Sequence, residues 1–300
     1  MEARMKILTI DLGGTMTKYG LFTDGVLPAS YERPTEGKKG AKHIIDLICE
    51  ITAQFEDVSC LGISTCGYVD PWDKRIVFAT DAVPGYTGVS IGKILEQKTG
   101  LPVAVENDAK CAAIGEMQEG NGMKFNNFLF LSYGTGIGGA IALNGAVHQG
   151  SHGLAGALGH MTVHADGLEC TCGRRGCYER YASTNALLSS IRDRTGVAMN
   201  GREAFAHSGD KRIRREIDLW IDEVTAGLIS LANIFDPSAF ILGGGVMEQE
   251  NLIQEIGKRL NGQTIGGFTD IAVCRAKLGN TAGLYGAYYN AMALLSEKHP

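Results

Sequence analysis

An α/β protein built from two related halves is the architecture this sequence predicts. Three observations predict it: Gly-rich turns at the ends of apolar runs, strand patterns alternating with helix patterns, and a strand–turn–strand unit that occurs twice. Glycine is in clear excess, 41 of 300 residues, and it marks tight turns rather than a flexible linker. A chain of 300 residues is long enough for two domains, each with its own core. Its 44% apolar and 20% charged residues are the balance of a packed globular protein. The net charge of −5, with no block of basic residues, argues against nucleic acid or an anionic membrane as partner and for a small ligand. The apolar runs Leu228 to Phe235 and Ala287 to Leu295 are too short or too interrupted to span a bilayer. Met1 to Lys6 is charged and runs directly into a strand pattern without an apolar signal region, so a cytoplasmic location is expected.

The elements follow in chain order. Lys6 to Ile10 reads as a strand, Asp11 to Thr15 as a Gly turn and Thr17 to Phe22 as the returning strand. The same plan recurs in the strand Phe128 to Tyr133, the turn Gly134 to Gly139 and the return Ala140 to Leu143. Helical periodicity covers Ala41 to Gln54, Ser90 to Thr99, Asp108 to Glu119, Lys211 to Ile234 and Thr281 to Leu295. Further strand patterns are Cys60 to Ser64, Pro102 to Glu106, Ala239 to Gly243 and Asp270 to Val273. Helices packed on sheets follow from this mixture. The division is expected near Gly115 to Gly122, with a smaller lobe of residues 1–117 plus a C-terminal helix at about 284–300, and a larger lobe of residues 118–283.

In Asp11-Leu12-Gly13-Gly14-Thr15 the glycines let backbone amides approach an anion, while the Thr15 hydroxyl and Lys18 can reach phosphate oxygens. Asp11 at the strand end can hold Mg²⁺ through water, because Mg²⁺ dehydrates reluctantly. Gly134-Thr135-Gly136-Ile137-Gly138-Gly139 offers a second cradle, and Gly243-Gly244-Gly245 ends a third strand where a nucleotide's flat face can approach. A lone Gly turn is more often structural. The dinucleotide spacing and the Walker A loop are both absent, and three separate turns meeting at one nucleotide suit a cleft between two lobes. Five cysteines, Cys49, Cys60, Cys66, Cys111 and Cys274, lie singly, whereas Cys170, Cys172 and Cys177 cluster in a way that suggests a metal more than a disulfide.

Four motifs in order resemble the ROK family of sugar kinases and related repressors, within the actin and hexokinase superfamily. They are Asp11-x-Gly13-Gly14-Thr15, Glu106-Asn107-Asp108-Ala109, Gly134-Thr135-Gly136-x-Gly138-Gly139 and the block from Gly159-His160 to Cys177-x-Glu179. The resemblance covers nearly the whole chain. It implies two actin-like, ribonuclease H-like lobes with an ATP and sugar cleft between them, and an ATP-dependent kinase phosphorylating a hexose or hexose derivative at the 6-hydroxyl. N-acetylmannosamine, glucose and a β-glucoside are the substrates weighed. By the same resemblance Asp108 is the catalytic base, expected to work at its ordinary pKa, and Gly67, Asn107, His160 and Glu179 bind the sugar. His160, Cys170, Cys172 and Cys177 match the family's zinc ligands, and three thiolates with one imidazole make the closed tetrahedral set of a structural site. ATP, Mg²⁺ and structural Zn²⁺ are therefore the expected cofactors, and a homodimer the expected assembly.

One departure stands out. Kinases of this family acting on common hexoses usually carry Gly-Glu-x-Gly-His, where this chain has Gly156-Ala157-Leu158-Gly159-His160. Losing that carboxylate should weaken unsubstituted glucose and leave room for a substituent. Cys66 also stands where a Pro often precedes Gly67. The alternative reading is a sugar-responsive sensor or regulator without a DNA-binding domain. An N-terminal helix-turn-helix has no room when the first strand begins by Lys6, and a sensor has no need of Asp108.

Overall fold

The computed structural model describes residues 4–266 and 270–297. The chain divides into two compact units. The first takes the chain up to Gly120, the short segment Gln149–Ala155 and the chain from Asn280; the second takes Asn121–His148 and Gly156–Gly279.

In the first unit, strands β1 (Lys6–Leu12), β2 (Met16–Thr23), β3 (Tyr31–Pro34), β4 (Cys60–Thr65) and β7 (Val103–Asn107) form one sheet in the order β3-β2-β1-β4-β7. The first three strands are antiparallel, while β1, β4 and β7 run parallel. Every residue of β4 is buried, as a central parallel strand covered on both faces requires. A separate hairpin, β5 (Tyr68–Asp70) and β6 (Arg75–Phe78), follows β4. Helices α1 (Ala41–Thr52) and α2 (Ile91–Thr99) set Ile44, Leu47, Ile48, Ile91 and Leu95 into one core with Leu8, Ile10, Leu61 and Ile63. A smaller cluster of Ile7, Phe22, Leu284, Tyr288 and Ala291 seats the C-terminal helix (Ala282–Glu297). That helix packs on α3 (Asp108–Glu119) so closely at Gly286 that any Cβ there would strike the Cys111 carbonyl.

The second unit repeats the plan. Strands β8 (Phe128–Tyr133), β9 (Ile137–Leu143), β10 (Ala146–Val147), β11 (Ala239–Gly243) and β12 (Ala272–Arg275) form a sheet in the order β10-β9-β8-β11-β12, which is the first order over again. The duplicated hairpin expected from the sequence thus extends to a duplicated five-stranded sheet. Helices α4 (Glu179–Ala182), α5 (Thr184–Thr195), α6 (Gly201–Ala206), α7 (Lys211–Phe235) and α8 (Glu250–Gln263) complete the unit. Helix α7 buries Ile213, Ile217, Trp220, Ile221, Val224, Leu228 and Leu231, the three-and-four spacing of an amphipathic helix, against Leu129, Leu131, Phe240 and Leu242. Asp210 caps its start by accepting from the Arg212 amide, and Asp236 closes it in the left-handed region at φ 42°.

Some expected boundaries shift. The last strand begins at Ala272 rather than Asp270, and the first helix stops at Thr52 rather than Gln54. Strand β3, hairpin β5–β6 and helices α4, α5, α6 and α8 carry no element assignment from sequence. No helix among the described residues is long and apolar enough to cross a membrane.

Candidate functional site

In the first unit the chemistry gathers at the ends of β1, β4 and β7. The β1 register places Asp11 opposite Lys18 and beside Ser64. Ser64 donates from Oγ to Asp11 Oδ1 at 2.5 Å. Burial raises the Asp11 pKa, and the Ser64 bond and the Lys18 charge oppose the rise. The C-terminal helix begins over this carboxylate, since a Cβ on Gly283 would lie 2.6–2.8 Å from its atoms. The turn that follows is braced from behind: the Gly13 amide donates to the Met16 carbonyl at 3.2 Å, and Thr35 donates from Oγ1 to the Gly13 carbonyl at 2.8 Å. Gly14 and Thr15 are left exposed.

At the end of β7, Asn107 is the N-cap of α3, its Oδ1 accepting from the amides of Ala109 and Lys110 at 3.1 and 3.2 Å. Asp108 is therefore not the N-cap, although its Oδ1 also accepts from the Ala109 amide at 2.8 Å. Asn107 Nδ2 donates to Asp108 Oδ1 and to the Gly67 carbonyl, both at 2.8 Å, so Gly67, Asn107 and Asp108 form one cluster. Gly67 sits at φ 90°, and a Cβ there would be 2.8 Å from the Phe78 carbonyl. The expectation of an ordinary pKa for Asp108 does not hold. Desolvation first, and the Asp11 charge second, push its carboxyl up to about 6.

The second unit holds the other half of the expected residues. Gly134–Gly136 bridge the Tyr133–Ile137 pair of β8 and β9, with the Gly134 amide donating to the Gly136 carbonyl at 2.9 Å. Thr184, at the start of α5, donates from its amide to the Gly134 carbonyl and from Oγ1 to the Tyr133 carbonyl, both at 3.1 Å. Thr135 lies at the tip of this turn, and Gly138 pairs with Ser132 in the β8–β9 ladder. Gly243 ends β11 beside Ser132, and Gly244, at φ 98°, packs against the Tyr133 carbonyl. A Cβ on Gly245 would meet nothing within 4 Å.

His160, Cys170, Cys172 and Cys177 come together with one ligand atom each, all within 4.8 Å of one another. Cys170 Sγ is 3.6 Å from His160 Nδ1, and Cys172 Sγ is 3.6 Å from Cys177 Sγ. Bonds of about 2.0–2.3 Å to a tetrahedral zinc give ligand separations of roughly 3.3–3.8 Å, so the donor set and these two separations suit that ion. Without a cation, burial and the two neighbouring thiols push Cys177 up to about 12; a divalent metal would reverse this by taking the thiolates as ligands. Glu179 stands against the cluster, Oε1 lying 3.4 Å from Cys170 Sγ and 4.0 Å from His160 Nδ1. Its Oε2 accepts from the Ile137 amide at 3.3 Å, and a Cβ on Gly136 would be 2.5 Å from that oxygen. Gly136 is therefore constrained by Glu179, which the sequence reading did not foresee.

Sequence reasoning also missed Ser64, which holds Asp11, Thr35 and Thr184, which brace the two turns, and the buried group of Glu106, Lys110 and Gln149 beside the Asn107 amide. Glu106 stands in the Glu106-Asn107-Asp108-Ala109 motif, but no motif marks the others. Lys110 reads as a surface lysine on a helix, and Gln149 lies far along the chain from its partners.

Comparison with known proteins finds one family over nearly the whole chain. The sequence model of the ROK family matches residues 7–293. A glucokinase of Streptomyces coelicolor is 33% identical, over 93% of this chain and 95% of its own length. A β-glucoside kinase of Listeria monocytogenes is 31% identical, over 95% and 97%. Among solved structures, a ROK family glucokinase from Streptomyces griseus in complex with glucose and AMPPNP superposes with a TM-score of 0.86 at 32% identity, covering 97% of this chain and 100% of that one.

Proposed function

The chain belongs to the ROK family, and from that premise we propose that it transfers the γ-phosphoryl group of ATP to the 6-hydroxyl of a hexose or hexose derivative, with Asp108 as base. That it is an ATP-dependent sugar kinase follows from its relatives and structural neighbours alike. The observation that carries the assignment of Asp108 is its carboxyl, raised to about 6 and held at Oδ1 by Asn107 Nδ2. A base tuned toward neutrality is suited to accept a proton as the transition state forms.

In this reading the hydroxyl gives its proton to Asp108 Oδ2 while its oxygen forms a bond to the γ-phosphorus, and the bond to the bridging oxygen breaks to release ADP. Phosphoryl transfer depends chiefly on alignment and charge neutralisation. Asn107, anchored to the Gly67 carbonyl, sets the angle of the Asp108 carboxylate. Asp11, fixed by Ser64, is the residue that would hold Mg²⁺ through water, and Mg²⁺ supplies neutralisation of the phosphate charge. Gly13, Gly14, Thr15 and Lys18, with Gly134, Thr135, Gly136, Gly138 and Gly243 to Gly245, are assigned to the nucleotide. Gly67, Asn107, His160 and Glu179 are assigned to the sugar, and His160 with the three cysteines to a structural zinc.

The sugar we favour carries a substituent. Ala157 removes a charged acceptor from the motif before His160, and one of the similar proteins is a β-glucoside kinase. A test measures phosphorylation by ATP of N-acetylmannosamine, glucose, N-acetylglucosamine, fructose and cellobiose, locating the product's phosphate by NMR. An N-acetylhexosamine or a β-glucoside is expected to exceed glucose in kcat/KM, with phosphate on O6. Glucose as best substrate would overturn the preference, and turnover of no sugar would overturn the kinase reading.

A further inference from the structure

Two residues before and two after Asp108 in the sequence stand a buried carboxylate and a buried ammonium that the proposed chemistry does not use. Lys110 is 1% exposed and Glu106 is 3% exposed. A buried ammonium and a buried carboxylate persist only where each is paired and hydrogen-bonded. The pairing here runs through a third residue. Lys110 Nζ donates to Gln149 Oε1 at 2.6 Å, and Gln149 Nε2 donates to Glu106 Oε2 at 2.7 Å. The ammonium can only donate and the carboxylate only accept, so the Gln149 amide has one orientation that satisfies both. Lys110 Nζ also donates to the Gly153 carbonyl at 2.8 Å, and Glu106 Oε1 accepts from the Asn107 amide at 2.8 Å.

Gln149 and Gly153 are the two footholds of the segment 149–155, the one piece of mid-chain that packs with the first unit. The Ala155 amide donates to the Gln149 carbonyl at 3.1 Å and closes the segment on itself. Gly153, at φ 72°, lies so near hairpin β5 that a Cβ would be 2.5 Å from the Val69 carbonyl. Its crest, Ser151 and His152, is exposed. The segment thus rests on Asn107's neighbour at one end and on the hairpin that follows Gly67 at the other, the side assigned above to the sugar. The next residues, Gly156 to His160, carry Ala157.

Resting on the kinase reading above, we infer that Lys110 is a positioning residue for sugar recognition: by holding Gln149 and Gly153 it fixes the segment 149–155 beside Asn107 and the Gly67 hairpin. At 1% exposure, Lys110 has almost no surface to offer a sugar or a nucleotide directly. A merely structural lysine would, when removed, lower the melting temperature and the active fraction without changing the Michaelis constant for sugar in the molecules still folded.

The test compares Lys110→Met, Lys110→Arg and Gln149→Leu with the wild type, titrated for active sites. Lys110→Met and Gln149→Leu are expected to raise the sugar KM by about tenfold or more, the scale of losing hydrogen bonds to a charged group, with the ATP KM within about twofold. Lys110→Arg, which keeps the donors, should recover most of that loss. Hydrogen exchange in the intact chain gives a readout independent of turnover: amide protection across 150–155 should fall in both disrupted variants while β8 and β9 keep theirs. An unchanged sugar KM, sugar and ATP constants rising together, or unchanged protection across 150–155 would each overturn the inference. A wild type that phosphorylates no sugar would instead overturn the kinase reading, and the exchange arm would still decide whether Lys110 holds the segment.

Discussion

The two sheets share one strand order, but their equivalent positions carry different chemistry. In the first, the β1 register joins Asp11 to Lys18 and Ser64. In the second, the same place in the register of β8 joins Ser132 to Gly138 and Gly243. One triple is a carboxylate, an ammonium and a hydroxyl; the other has no charge and almost no side chain. Backbone alone, close and uncharged, suits the approach of a phosphate chain or a flat ring, whereas a carboxylate suits a metal or a proton. The repeat therefore supplies two equivalent frames, and the residues at the strand ends make one a place for charge and the other a place for close contact. The second unit gains its ionisable chemistry from the loop before α4, where the thiol and imidazole cluster lies, and not from its sheet.

The largest expected effect breaks the charged side of that comparison. Asp108→Asn should keep the fold and sugar binding but lower kcat by at least ~10² to 10⁴, the usual range for a general base, as steady-state assays with ATP and the preferred sugar would read. The wild-type kcat/KM should rise with pH through a limb near 6, where Asp108 deprotonates, and the variant should lack it. The stability consequence has a fixed sign. The folded value of about 6 lies above an unfolded value near 3.9, so native Asp108 binds its proton more tightly than the unfolded chain does. Its contribution is fully present below about pH 3.9 and is lost as pH rises through about 6. The Asn variant should melt higher than the wild type at pH 8, and the difference should shrink toward pH 4. A variant with near-normal kcat would end the assignment.

The second prediction breaks the other unit. Purified protein is expected to hold about one zinc per chain, the occupancy of a closed four-ligand site, measurable by elemental analysis. Chelation should lower the melting temperature and strip amide protection from the loop containing Cys170, Cys172 and Cys177, leaving β1, β4 and β7 protected. Zinc-free protein with full activity and unchanged melting would show the cluster to be four incidental side chains.

Legibility in the sequence divided along the same lines. The Gly turns and the long helices were readable because their signals are local: α7 spans Lys211–Phe235 as its periodicity and the Asp210 before it imply. Strand β3 was not, because three of its four residues are exposed and it lacks the alternation of a half-buried strand. The cysteine grouping was visible by spacing, and His160 joined it only through the family resemblance. The braces were invisible. Ser64 becomes informative only once β1 and β4 are in register, and the Lys110–Gln149–Glu106 group only once residues 149–155 fold onto the first unit. The raised pKa of Asp108 has the same origin, since it depends on burial and on Asp11, which is remote in sequence.

A smaller effect sharpens what the uncharged side has lost. Ala157→Glu restores a carboxylate to the segment before His160, and a hydrogen bond to a charged group is worth roughly 1.5–3 kcal/mol. Glucose kcat/KM should rise about tenfold or more, on that scale, while the substituted sugar loses efficiency. If every sugar suffers equally, Ala157 is not a specificity position.

The smallest expected effect separates the two Gly turns. A Cβ on Gly14 would meet nothing within 4 Å, whereas one on Gly136 would meet Glu179 Oε2 at 2.5 Å. Gly14 is also outside the positive-φ residues, so an alanine is tolerated by its backbone. Gly14→Ala should leave the folding stability within about ±0.5 kcal/mol, as for a neutral surface change, and raise the KM for ATP alone, because only a bound phosphate can feel the added methyl. Gly136→Ala must displace Glu179, so the constants for ATP and sugar should rise together. Matched kinetics and melting curves for the two variants check this. Equal ATP dependence in wild type and Gly14→Ala would show that phosphates do not approach Gly14 closely. A Gly136→Ala variant with altered ATP binding and unaltered sugar binding would remove Glu179 from the sugar.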